Sequence, residues 1–458
     1  MATPSLAPLG PLASALPDAS KAAVLPRGFR AASAQMGIKV SRRPDVAVVC
    51  VEPGLPDAAV AAVYTSNAVL AAPILLSRRH LEKTAPLGAG AYGWTRGVVC
   101  TAGCANAATG AEGMADQERI ARGLARGLDT QPERTLAMST GIIGTRLPAD
   151  RLSPEIARLA REGAASDAEA LAGAAEAMRT TDSHPKIASV QLTLPDQAGQ
   201  PVPVTVSGIA KGVGMIHPRM ATMLAILLTD AAAAPQVLHA LLREVTARTW
   251  DQLTVDGDTS TNDTCFLLAS GASATAPVQL GTAAAGSLRD ALESVARSLA
   301  RQQAADGEGA TTLITCQVSG AADVADARAV ARSVVASSLV KAAVHGRDPN
   351  WGRIAAAAGN ARLADATILE AAGLPSDEAR RRAGGPATVD PSRLRIALCG
   401  VDVFDGVPVS FDRDALRRLM EAPELLIRVD LGLGEGSGEA FGCDLTERYV
   451  VENSEYTS

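Results

Sequence analysis

GIAKGVGMIHPRMATMLAILLTD, running from Gly208 to Asp230, changes character at a single hydroxyl. Up to Pro218 it reads as a loop, with glycines on both sides of Val213 and a proline after His217. From Thr222 to Leu228 it is an apolar run suited to a buried strand. A threonine therefore stands where loop becomes core. If its Oγ is held against the carbonyl of Ala221, an N-to-O acyl shift converts that peptide bond into a more labile ester. Hydrolysis would then leave Thr222 as a new chain terminus. Its α-amine, with a reference pKa of about 8 that burial lowers, could act as base for its own hydroxyl. The same residues also fit a plain threonine satisfied at a strand start, and taken alone they leave both readings open.

Working outward, β-branched segments alternate with Ala-rich ones. Val46 to Val51, Gly97 to Cys100, Val190 to Leu194, Leu313 to Val318, Leu394 to Leu398 and Glu424 to Leu431 read as strands. Ile120, Leu124 and Leu128 recur at one-turn spacing, and Leu288, Leu292, Val295 and Leu299 mark one helical face. Ser153-Pro154 suggests a cap with a first-turn proline. The chain is thus expected to be mixed α/β, with sheets layered under helices. Gly281 to Gly286 reads as a small-residue linker and Ala371 to Ser392 as an exposed loop or insertion, with a domain boundary near Ala322.

With 458 residues, two or three domains sharing extensive interfaces are expected. Apolar residues make up 47% of the chain and aromatics only 3%, so the core must be packed by Ala, Val and Leu, and wholesale disorder is excluded. A net charge of -6 without any dense Lys/Arg run argues against a nucleic-acid partner. The apolar run ending at Leu228 is too short to span a membrane. The seven cysteines are irregularly spaced and read as reduced thiols; Cys100 and Cys104 form a close pair without a histidine nearby, so no metal site is expected. Residues 1–27 lack the basic start of a secretory signal and read as a frayed extension. A cytoplasmic protein is expected, with a plastid or mitochondrial matrix as the alternative if a transit peptide was trimmed.

Familiar catalytic signatures are absent. There is no phosphate loop and no G-x-S-x-G elbow, and the glycines from Gly432 to Gly438 lack dinucleotide spacing. The acidic cluster Asp256 to Asp263 misplaces the glycine and glutamate of a calcium loop and reads as a hydrogen-bonded turn.

KGVGMIHPRMATML (Lys211 to Leu224) resembles the self-cleavage signature of the ornithine acetyltransferase family. STGIIG from Ser139, TTD from Thr180, DTSTNDT from Asp258, DGEGAT from Asp306, HGRDPNWGR from His345, CDLTERYV from Cys443 and NSEYTS from Asn453 resemble further blocks of that family in the same order. The resemblance implies a layered αββα-type sandwich, the self-cleaving DmpA/ornithine acetyltransferase fold, over residues 28–321. A smaller α/β C-terminal domain would follow over 322–458, its tail returning to the active site. It also implies cleavage between Ala221 and Thr222, giving an alpha chain 1–221 and a beta chain from 222 that assemble as a heterotetramer with two copies of each.

By the same resemblance, Thr222 is the nucleophile that takes acetyl from N2-acetylornithine and passes it to glutamate by ping-pong transfer. Thr140 and Gly141 match an oxyanion pair. Thr180, Thr181, Lys211, Glu308, Asn453 and Ser458 match substrate-contacting positions, where Lys211 would suit an α-carboxylate and Glu308 the side-chain ammonium of ornithine. No cofactor is implied, and acetyl-CoA stays open as a second acetyl donor. HGRDPNWGR reads as scaffold, with Asp348-Pro349-Asn350 as a turn and Trp351 as an anchor. Three features depart from the family pattern: TAGCANAATG lacks an Asn-rich stretch near Cys104, Arg219 precedes the cut, and Ala371 to Ser392 is long. Two other readings use the same residues: an amidohydrolase or aminopeptidase in which water replaces glutamate, and a non-catalytic protein that keeps the fold.

Overall fold

Six early β-branched or small-residue segments form β1 (Phe29–Ala34), β2 (Val46–Val51), β3 (Ala58–Tyr64), β4 (Tyr92–Thr95), β5 (Gly97–Cys104) and β6 (Thr135–Ile142) in the computed structural model, which describes residues 16–217 and 223–454. The middle of the chain adds β7 (Lys186–Pro195), β8 (Pro201–Lys211), β9 (Leu224–Thr229) and β10 (Thr264–Ala269). The last part supplies β11 (Leu313–Ala321), β12 (Arg395–Leu398), β13 (Val401–Asp405), β14 (Glu424–Asp430) and β15 (Gly436–Cys443). They make three sheets, ordered β1-β2-β5-β6, β4-β3-β10-β9-β8-β7 and β13-β12-β14-β11-β15.

The first two sheets face each other. Phe29, Val49, Val98 and Met138 from one meet Val60, Ile209, Ile226 and Phe266 from the other in a shared core. Along β9 the side chains alternate, Leu224, Ile226 and Leu228 entering that core while Ala225 and Leu227 face the opposite way. Because both faces are buried, no polar residue interrupts the strand until Thr229. Helices Pro235–Arg248 and Ala283–Ala305 cover the outer face of the six-stranded sheet through Leu238, Leu242, Leu292 and Leu299. Helices Gly110–Gly127 and Ala149–Arg158 cover the four-stranded sheet through Ile120, Leu124, Leu152 and Ile156. The layer order is therefore helix, sheet, sheet, helix, the sandwich implied by the resemblance.

The third sheet has its own core, where Ile314, Cys316, Ile396 and Ile427 pack under helices Val324–Ala336 and Trp351–Gly359. Its attachment to the sandwich is partly ionic. Arg301 on the long helix reaches Glu424 at 2.8 Å and Thr315 at 3.0 Å, and Arg297 pairs with Glu439. Both guanidinium carbons lie 5.7 Å from the centre of the Phe441 ring. β11 ends at Ala321, so this sheet takes one strand from before the boundary suggested near Ala322.

Several local readings change. Pro154 lies inside helix Ala149–Arg158, not in its first turn, because Ser153 donates to the Arg119 carbonyl at 2.7 Å to join two helices instead of capping one. The supposed linker at Gly281 already holds the helix cap, Thr282, whose hydroxyl accepts from the Ala285 amide. The stretch from Ala371 contains a short helix, Ser376–Arg382, whose Arg382 meets Asp326 at 3.0 Å. The N-terminal extension is anchored over its described part: Ser20 bridges to Ser189, and Arg27 meets Asp230 at 2.9 Å. Asp348 and Asn350 do form a turn, with Asn350 capping the helix that begins at Trp351, and that indole stacks on Phe404 at 4.8 Å.

Candidate active site

The ends of β6, β8 and β9 come together at one edge of the sandwich. β8 and β9 are antiparallel, with Lys211 opposite Leu224, while β9 and β10 are parallel, with Leu224 opposite Thr264. Thr264 N–H donates to Met223 O at 2.9 Å and so fixes the entry to β9. At the far side, the Gln303 side-chain amide pins β8: its Nε2 donates to Lys211 O at 3.0 Å, and its Oε1 accepts from Trp250 Nε1 at 2.9 Å.

A cavity of about 170 Å³ opens among these ends. Thr140, Gly141, Thr180, Thr181, Lys211, Glu308 and Asn453 all line it, so seven positions from five distant blocks of sequence converge. Ile216 and Met223, on either side of residues 218–222, line it too. Thr222 and Ser458 lie outside the described residues, as does Arg219.

Thr140 and Gly141 occupy the end of β6, where pairing with β5 is irregular at Gly103 and Cys104. Gly141 has φ +128, and a Cβ there would lie 2.3 Å from the Gly103 carbonyl carbon. Only glycine fits, and it leaves the backbone open to the cavity. Lys211 Nζ donates to Thr140 Oγ1 at 3.2 Å, which frees the threonine's own proton for another acceptor.

Glu308 sits opposite in chemistry. Its carboxylate accepts from Thr181 Oγ1 at 2.7 Å and from Asn453 Nδ2 at 2.9 Å, and its backbone N–H donates to Val213 O at 2.8 Å. A Cβ on Gly214 would fall 2.1 Å from Glu308 Oε2, so the carboxylate lies against bare backbone. The helix Glu447–Ser454 brings Asn453 to this contact. Among the lining residues there is thus one ammonium, Lys211, with two carboxyls, Glu308 and Asp263.

Asp263 was not singled out from sequence. It is buried, and burial raises its carboxyl well above the usual carboxylate range although Ser260, Lys211 and Thr65 oppose the shift. Its neighbour Asn262 also lines the cavity and donates through Nδ2 to Ala105 O at 2.7 Å and Ser139 O at 2.9 Å, tying the loop after β5 to the end of β6. The one hint was that both residues belong to DTSTNDT. The acidic cluster itself is the turn it was read to be: Asp258 N–H donates to Asp256 Oδ1 at 3.1 Å, and Asp256 also accepts from Ile216 N–H at 2.9 Å.

Asp182, from the TTD block, lies just behind the cavity. It accepts from Thr180 N–H at 3.1 Å and Gly212 N–H at 2.9 Å. Burial opposes its charge, but Lys186 and Lys211 outweigh that penalty and hold its carboxyl below the usual range. Burial keeps two thiols in their neutral form, pushing Cys50 up to about 11 and Cys100 up to about 12. Among the described residues no three His, Cys, Asp or Glu side chains are grouped to hold a metal ion. No described helix is long and apolar enough to cross a membrane.

The geometry suits a small zwitterion, with a cation and a carboxylate set in one cavity beside a threonine-glycine pair. The model of the ArgJ family matches residues 30–458. An arginine biosynthesis bifunctional protein ArgJ from Thermus thermophilus is 42% identical, with 95% of this chain and 99% of that one covered. Its counterpart from Synechococcus is 40% identical, over 94% and 96%. A crystal structure of ornithine acetyltransferase complexed with ornithine, from Mycobacterium tuberculosis, is 34% identical with a TM-score of 0.37, covering 44% of this chain and 96% of that chain.

Proposed function

The chain belongs to the ArgJ family, and from that premise we propose that it transfers acetyl from N2-acetylornithine to glutamate through an ester on Thr222. What carries this reading is the cavity in which Met223, the next residue after Thr222, meets Thr140, Gly141, Lys211 and Glu308.

In the proposed mechanism, cleavage after Ala221 makes Thr222 N-terminal. Its α-amine takes the Oγ proton as the oxygen attacks the acetyl carbonyl of N2-acetylornithine. Negative charge collects on the carbonyl oxygen, to which the Thr140 hydroxyl and the Gly141 N–H would donate; losing one such donor typically costs about 2.7–4 kcal/mol of barrier. Collapse breaks the C–N bond, the leaving amine takes back the proton, and ornithine departs. The amine of glutamate then attacks the ester by the reverse route and regenerates the hydroxyl. Lys211 would hold the α-carboxylate common to both substrates, and Glu308 the δ-ammonium of acetylornithine. Thr180 and Ser458 complete the substrate contacts in this reading. The chemistry requires no cofactor. Acetyl-CoA as a second donor, two copies of each fragment in the assembly and a location in the cytoplasm or an organelle matrix belong to the same proposal.

Denaturing electrophoresis and product assay test it together. Wild-type protein is expected to run as two fragments, the second starting at Thr222, and to form acetylglutamate; Thr222→Ala should stay uncut and inactive. A single full-length band from active protein would rule out the processing step, and acetate released in place of acetylglutamate would make it a hydrolase. Acetylglutamate formed from acetyl-CoA and glutamate would establish the second donor.

A further inference from the structure

Behind the cavity wall lies a wholly buried lysine whose hydrogen-bond partners are not lining residues. Lys186, 0% exposed, opens β7. Its three ammonium protons all have acceptors: Asp182 Oδ1 at 2.8 Å, the His184 carbonyl at 3.0 Å, and Asp306 Oδ2. A buried ammonium is tolerated only when paired in this way, and removing one partner is costly.

Each carboxylate it joins governs a different part of the cavity. Asp182 accepts from the Thr180 and Gly212 amides, so it aligns both the threonine pair and the backbone immediately after Lys211. Asp306 accepts from the Ser183 N–H at 2.9 Å and lies two residues before Glu308. Glu308 then returns to Thr181 at 2.7 Å, which closes a ring through Asp182, Lys186, Asp306 and Glu308. Neither Thr140 nor Gly141 belongs to this ring.

We propose that Lys186 is a positioning residue that sets substrate affinity, holding the Thr180-Thr181 turn, the end of β8 and the Glu308 loop in one arrangement. The inference rests on the function proposed above, and it has a further consequence there. Lys186 and Asp182 precede the cut while Asp306 and Glu308 follow it, so this ammonium also joins the substrate-binding groups of the two fragments.

The experiment measures KM and kcat with N2-acetylornithine and glutamate for processed wild type, Lys186→Met and Asp306→Asn. Loss of alignment should raise the KM for N2-acetylornithine about tenfold or more in Lys186→Met, a change of about 1.4 kcal/mol, while kcat falls less than threefold because neither member of the oxyanion pair bonds directly to the ring. Asp306→Asn keeps the Lys186–Asp182 pair and should give a smaller rise with the same split. If Lys186→Met does not fold, the double variant Lys186→Met/Asp306→Asn, which removes one orphaned carboxylate charge, takes its place and should also raise KM selectively. An unchanged KM in a folded variant, or KM and kcat altered in equal proportion, overturns the inference. Wild type that makes no acetylglutamate would instead count against the function itself.

Discussion

Glu308 is the residue at which the two proposed substrates differ most. N2-acetylornithine brings an ammonium to the end of its side chain, and glutamate brings a carboxylate. Thr181 and Asn453 both donate to the Glu308 carboxyl, which also lines the cavity. Glu308→Gln should therefore raise the KM for N2-acetylornithine by about tenfold, in line with about 1.5–3 kcal/mol for a charged hydrogen bond, and leave the KM for glutamate unchanged or lower; equal rises for both would refute the pairing. Away from the cavity, burial and then Arg243 pull the His239 imidazole from 6.5 down to about 4. Between those values the unfolded chain binds a proton that the folded one refuses, so stability must fall as pH drops from 6.5 towards 4. His239→Gln should flatten that part of a melting-temperature profile, and an unchanged slope would assign the loss to other groups.

At the scale of elements, the close approach of helices Gly110–Gly127 and Ala149–Arg158 depends on a residue without a side chain. A Cβ at Gly123 would lie 2.5 Å from the Ser153 carbonyl oxygen. On an exposed helix, Gly→Ala stabilises by about 1 kcal/mol. Here the backbone oxygen cannot swing aside, so Gly123→Ala should lower the melting temperature, with the overpacking cost of about 1–3 kcal/mol exceeding the helical gain. A rise would mean that the helices separate freely. The same helix pair explains why the Ser153-Pro154 reading failed. Local capping chemistry competes with a tertiary hydrogen bond to Arg119, and only the folded arrangement shows which wins. By contrast, β2 and β9 were legible because their apolar runs are buried on both faces and no local signal competes.

For the whole molecule, the position of the proposed cut matters more than its place near the middle of the chain. β8 would belong to one fragment and β9 to the other, yet six residue pairs join them from Val206–Thr229 to Lys211–Leu224, and a break between Ala221 and Thr222 removes none of these. β9 also pairs with β10, while β3 from the first fragment pairs with the far side of β10. The six-stranded sheet would therefore be interleaved from both products. They should co-elute in native size-exclusion chromatography at any salt concentration and separate only when denaturant unfolds the sheet; separation under native conditions would contradict this arrangement. The two products would not be two domains, since the sandwich would contain most of one and part of the other.

Sequence alone determined the alternation of strands and helices, an Ala-rich core and a mixed α/β class, because periodicity and composition are local properties that burial only reinforces. Its block resemblances also named seven positions that meet in one cavity. It could not determine the strand order within each sheet, the helix inside Ala371 to Ser392, or the presence of Asn262 and Asp263 in the cavity wall. Those depend on which distant strand ends share an edge. The ring through Lys186 was hidden for the same reason: a lysine at the start of a strand looks like a solvated charge until the fold buries it between Asp182 and Asp306, 124 residues apart in the chain but both within reach of one ammonium.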